Sequence, residues 1–141
     1  MSSEEQTQLA RSFIAAFNDG DWQSLEKTIC PAVQYQEIPT KTSMRGAAPF
    51  LELCKGWKSI MSDCSGEVTH SLVSGDTVVL EVTWSGTQSG PIQTPLGDHP
   101  ASGQIQKTDG VEILTMSDGK ITGIKNHFDL LSMLMQFRAI G

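Results

Sequence analysis

The chain lacks the basic surface that a polyanion would need. Ten Lys and Arg stand against sixteen Asp and Glu, a formal net charge of −6 over 141 residues, with no basic run anywhere. Binding through phosphates requires cationic groups that displace counterions, so no nucleic-acid partner is expected. Long apolar runs are missing too. The longest, Phe13 to Phe17, falls far short of the roughly twenty residues of a membrane span, so no membrane partner is expected. Three cysteines (Cys30, Cys54, Cys64) form no CxxC pair, and His70, His99 and His127 form no HExxH. A disulfide framework, a redox pair and a metal site are therefore not expected. The opening Met1-Ser2-Ser3-Glu4-Glu5 has neither the basic nor the apolar region of a secretory signal, which predicts a cytoplasmic protein. What is present is 38% apolar residues, enough for one core in a single domain spanning 1–141.

Two periodicities divide the chain. Leu9, Phe13 and Phe17 recur at four-residue steps with Ile14 beside them, predicting an amphipathic helix stopped at Gly20. Trp22 to Ile29 continues as a short helix capped by Asp21 and ended by Pro31. Val33 to Ile38 is extended, with Val33, Tyr35 and Glu37 on one face; the rest of 31–46 looks irregular. A third helix runs from about Gly46 to Met61, with Pro49 in its first turn and Phe50, Leu53, Cys54 and Trp57 on its buried stripe. From Glu67 the period becomes two. Glu67–Val73 and Thr77–Thr87 form one hairpin; Gln104–Met116 and Lys120–Phe128 form another, after a Gly- and Pro-rich loop over 90–103. A last helix starts at Asp129.

Helices set apart from antiparallel strands define an α+β fold. The expected architecture is a curved antiparallel sheet wrapped by the N-terminal helices into a cone with a central pocket. The apolar face Val78/Leu80/Val82/Trp84 suggests a homodimer surface.

Several segments, taken in order, resemble SnoaL-like (polyketide cyclase-like) proteins of the nuclear transport factor 2-like superfamily. They are Phe13 to Asp21, the turn Gly75-Asp76-Thr77-Val78, Gly86 to Gly90 with Pro100 to Gly103, Asp118-Gly119-Lys120-Ile121, and Asp129-Leu130-Leu131 with Gln136-Phe137. The resemblance implies an α+β cone with a deep apolar pocket, a homodimer, and chemistry without cofactor or metal. It implies a small apolar or polycyclic substrate. Asp129 matches the family's acid/base aspartate, which takes a proton α to a carbonyl in ring closure.

Asp129 also stands where the last helix needs an N-cap, so capping and proton transfer compete for it. His127, two residues earlier, shares its strand face and is able to shuttle a proton. Tyr35-Gln36-Glu37-Ile38-Pro39 resembles a segment of limonene-type epoxide hydrolases, in which a tyrosine and an asparagine hold the attacking water. Here Glu37 replaces the asparagine, and Glu81 and Thr83 stand where an arginine and a second aspartate belong. Glu81 is predicted to point away from the apolar face of its strand and into the pocket, and Glu112 to lie at the surface. Phe17, Phe50 and Trp57 are expected on the pocket wall with Glu37 and Thr83.

Asp129, His127, Tyr35 and Glu81 are thus the candidates for acid/base chemistry on a bulky apolar carbonyl compound, of cyclase or isomerase type. A limonene-type epoxide hydrolase or other hydrolase is the second expectation. A non-catalytic, dimeric small-ligand-binding module is the third.

Overall fold

The computed structural model describes residues 1–140. Helix α1, Ser3–Asp19, opens on a capping box. Ser2 Oγ accepts from the Glu5 amide at 3.1 Å, and the Glu5 carboxylate accepts from the Ser2 amide at 3.3 Å. Gly20 closes it at φ 65°, a conformation that favours glycine. Helix α2, Trp22–Thr28, is capped by Asp21. It stops at Thr28 without help from Pro31, because the chain runs straight into strand β1, Ile29–Glu37. Pro31 sits inside that strand, in the stretch between Ile29 and Gln34 where pairing is irregular and its missing N–H does least harm.

The stretch expected to be irregular contains a strand, β2, Thr42–Arg45, antiparallel to β1. Four residues are too few for alternation to declare itself. Helix α3, Ala47–Ile60, follows with Pro49 in its first turn. Then come β3 (Ser65–Ser74), β4 (Thr77–Thr87), the short hairpin β5 (Ile92–Thr94) and β6 (Gly97–His99), β7 (Ile105–Ser117), β8 (Lys120–Phe128) and α4 (Leu130–Gln136). The main sheet has the order β2-β1-β8-β7-β4-β3. The α+β class is the expected one, but the sheet is mixed and open: β1 runs parallel to β8, and the other neighbouring pairs are antiparallel.

The helices cover one face of this sheet. Val78, Leu80 and Val82 of β4, Leu114 and Met116 of β7, and Ile121 and Ile124 of β8 are buried there with Phe13, Ile14 and Phe17 of α1. The stripe expected to form a dimer surface is therefore the core face, with Trp84 packed edge-on against Phe17 at 5.5 Å. Burying the most apolar face against the helices removes the most hydrocarbon from water. Gly66 makes room for this, since a Cβ there would lie 2.7 Å from the Trp84 ring.

Two side-chain amides fasten helices to backbone that the sheet leaves unpaired. Asn18 at the end of α1 accepts from the Gly66 amide and donates to its carbonyl, both at 2.8 Å. Gln136 at the end of α4 does the same to Lys107, at 2.7 and 3.0 Å. Both substitute for a neighbouring strand.

Candidate active site

Between the inner face and the helices lies a cavity of about 60 Å³. Its wall is largely aromatic, from Phe13 and Phe17 on α1, Phe50 and Trp57 on α3, Trp84 on β4 and Phe128 on β8. Tyr35, Glu112 and Asn126 supply its polar end, and no Lys, Arg or His is among the lining residues. Strand pairing puts this polar end together. Glu37 on β1 lies opposite Asn126 on β8, and Asn126 lies opposite Glu112 on β7, so three consecutive strands present them in one row.

Glu37 is held by three donors. The Tyr35 hydroxyl donates to Oε2 at 2.5 Å, the Trp57 indole to the same oxygen at 2.9 Å, and the Thr40 hydroxyl to Oε1 at 2.7 Å. Glu37 sits behind Tyr35 and Trp57 and borders a second groove, shared with Thr40, Thr42 and His99 beneath the β5–β6 hairpin. Asn126 Nδ2 donates to the Tyr35 oxygen at 3.1 Å. The proton of Tyr35 is committed to Glu37, which fixes the orientation of this amide. Asn126 Oδ1 is left buried with no partner.

Glu112 differs from Glu37. It is 3% exposed, and among the described residues no donor reaches its carboxyl. Burial first, and the charge of Glu37 second, push it up to about 8. At pH 7 the protonated form is therefore favoured. Tyr35 is likewise pushed well above the ordinary phenol, by burial first and by Glu37 second, and stays neutral. Burial raises the Cys54 thiol, so it is no nucleophile at neutral pH.

Of the residues singled out in the sequence, Tyr35, Phe17, Phe50 and Trp57 line the cavity, and Glu37 stands just behind it. Glu81, Thr83, His127 and Asp129 also come together, but in a groove on the outer face of the sheet, beside Asp109. There Thr83 Oγ1 donates to Asp109 at 2.9 Å. His127 and Asp129 share a face, as their spacing predicts; that face is the outer one because Phe128 between them turns inward against Trp57. The Asp129 carboxylate is exposed and accepts from the Ser132 amide at 2.9 Å, capping α4. Glu81 is exposed because Leu80 and Val82 take the inner positions of β4. His70 is exposed beyond a slip in pairing between Val68 and His70. Glu112, expected at the surface, is buried. Its flanking Val111 and Ile113 suggest an outward carboxylate, yet its parity with the buried Leu114 and Met116 was the signal that placed it inside.

An open α+β cone whose helices close over an apolar cavity is a nuclear transport factor 2-like domain. The chain belongs to the SnoaL-like polyketide cyclase family, whose sequence model matches residues 7–137. TsrD from Streptomyces laurentii is 30% identical, with 99% of each chain covered and a TM-score of 0.85. Two more distant structures share the fold. AclR from Streptomyces galilaeus is 23% identical over 99% of this chain and 84% of its own, with a TM-score of 0.82. A SnoaL-like protein from Jannaschia sp. is 19% identical over 100% and 98%, with a TM-score of 0.86. Among curated proteins nothing matches the chain significantly.

Proposed function

We propose that the protein is a cofactor-independent acid–base enzyme of cyclase or isomerase type, acting on an apolar carbonyl compound inside the cavity. The observation that carries this is Glu112, a buried carboxyl that keeps its proton at neutral pH and has no protein partner to give it to. A neutral acid in an apolar site is poised to protonate a carbonyl oxygen as negative charge develops there. On the β1 side, Tyr35 is able to accept a proton from the α-carbon while passing its own along the 2.5 Å bond to Glu37. The result is an enol, one proton having entered at Glu37 and one having left Glu112. In ring closure the enol carbon attacks a second carbonyl carbon; the first carbonyl re-forms as the enol proton returns to Glu112, and the oxygen of the broken second C=O takes the proton from Glu37 back through Tyr35.

The family's apolar ligands suit the aromatic wall, but about 60 Å³ holds only a compact body. A polycyclic substrate requires the wall to yield, and Met61 and Met133, unbranched and on that wall, are the side chains best able to swing aside. A homodimer would use the outer face, where Leu72 is 58% exposed and Val79, Val111 and Ile113 are half-buried.

The test is exchange of the α-hydrogens of cyclopentanone in buffered D₂O, followed by proton NMR. Catalysis by the wild type, with a loss of roughly 10²-fold or more in Glu112→Gln, is expected. An unchanged rate in that variant would remove Glu112 from the chemistry. A hydrolytic reading is favoured by one observation, the free acceptor Asn126 Oδ1 beside the Tyr35 hydroxyl, where a water would be held. Incorporation of ¹⁸O from labelled water into the diol of a small epoxide would select it.

A further inference from the structure

At the polar end of the cavity the donors other than the Glu112 proton are engaged, and acceptors are left over. Tyr35, Trp57 and Thr40 all donate to Glu37, and the Asn126 amide nitrogen donates to Tyr35. Asn126 Oδ1 is buried without a partner, and the Glu112 carboxyl receives nothing. Two carboxyls, each 3% exposed, therefore share the interior, and neither forms an ion pair among the described residues. Buried carboxyls ordinarily sit with a paired cation. Lys58 is committed elsewhere: its Nζ donates to the carbonyls of Asn18 at 3.0 Å and Cys64 at 2.5 Å and lies 4.9 Å from the centroid of the Phe17 ring. The remaining wall is built of aromatic rings, whose faces attract cations.

We propose that this cavity binds a compact alkylammonium ion, its N–H groups bonded to Glu112 and to Asn126 Oδ1 and its carbon body against Phe50, Trp57 and Phe128. The site holds an unpartnered carboxyl and an unpartnered amide oxygen, and a protonated amine brings N–H donors to both and a charge to replace the Glu112 proton. Its small volume selects a short, branched or single-ring body. Neutral amides and alcohols bring donors without charge; a quaternary ammonium brings charge without donors.

Binding moves a proton. The ammonium ion takes the place of the proton as the partner of Glu112, so the carboxyl ionises and its proton passes to the buffer. The groups that face Glu112 are Glu37 and Tyr35 from β1 and Cys54 from α3, with apolar residues from α1, α4 and β4. Glu37 opposes the ionisation, and Tyr35 and Cys54 stay neutral throughout, so the ligand alone supplies the compensating charge.

The proposal is tested by titration calorimetry of the intact chain with isobutylammonium, in buffers of different ionisation enthalpy. At pH 7 a proton is released on binding, and affinity rises with pH while Glu112 is protonated in the free protein. Isobutanol, lacking charge, and tetramethylammonium, lacking N–H groups, each bind at least tenfold more weakly. Glu112→Gln, isosteric with the protonated acid, keeps a native circular dichroism spectrum, releases no proton and loses at least tenfold in affinity. Asn126→Leu loses affinity but still releases the proton. Equal binding of isobutanol, heats independent of buffer, or unchanged affinity in Glu112→Gln would each overturn the assignment, as would no binding by any probe. Turnover is not required: ketone exchange can fail with ammonium binding intact, and the reverse.

Discussion

Replacing Glu112 by glutamine should make the protein's stability less dependent on pH, and most visibly so above neutrality. The ordinary value for a glutamate is 4.5, and in the fold burial and the nearby Glu37 charge raise it to about 8. Between those two values the folded protein holds a proton that the unfolded chain has already released. The stabilising contribution is therefore whole below about 4.5, falls steadily as pH climbs, and is exhausted above about 8. At about 1.4 kcal/mol per pH unit, the span amounts to roughly 5 kcal/mol, a large share of the stability of a small domain. The glutamine side chain keeps the shape and the apolar contacts and has nothing to ionise. Urea unfolding of both proteins from pH 5 to pH 9 measures the difference. The two should be close at pH 5, and the variant should be the more stable by several kcal/mol at pH 9. Parallel stability curves would show that Glu112 ionises as readily in the fold as outside it, and the acid in the cavity would then have no special proton.

Asp129→Ala should cost about 1 kcal/mol by removing the bond to the Ser132 amide that caps α4, with ketone exchange unaffected; equilibrium unfolding and the NMR exchange rate check both. Leu80→Ala empties a fully buried position at the centre of the inner face and should cost about 2–5 kcal/mol in urea. Gly90→Ala would place a Cβ 2.2 Å from the Ser59 carbonyl oxygen, forcing the loop off the end of α3; a loss of at least about 1–3 kcal/mol is expected in thermal unfolding. Gln136→Ala removes both bonds to Lys107 and should raise amide exchange in α4 more than elsewhere.

The helices were legible because their signals are local. The four-residue spacing of Phe13 and Phe17, Gly20 after the last turn and Asp21 before the next helix all act within a few residues of the chain. The two long hairpins were legible for the same reason, each closed by a short Gly-containing turn. The pairing of β1 with β8 was not, since it joins segments about ninety residues apart, and no local feature of Gln34 or Gly123 announces a parallel neighbour. Tyr35 and Glu37 were found by alternation within one strand, and the structure keeps them on the inner face.

The inside of the sheet is where sequence reading went astray. A strand offers two faces, and alternation says which residues share a face without saying which face the helices cover. Taking the apolar side of β4 for a subunit surface sent Glu81 inward and left Glu112 outside; the helices chose the reverse. The sequence by itself determined the α+β class, the periodicities and the residues able to exchange a proton. Only the tertiary structure decided which carboxyl loses water, because desolvation depends on what packs around a side chain, and Glu112 lines a cavity closed by α1, α3 and α4, remote along the chain.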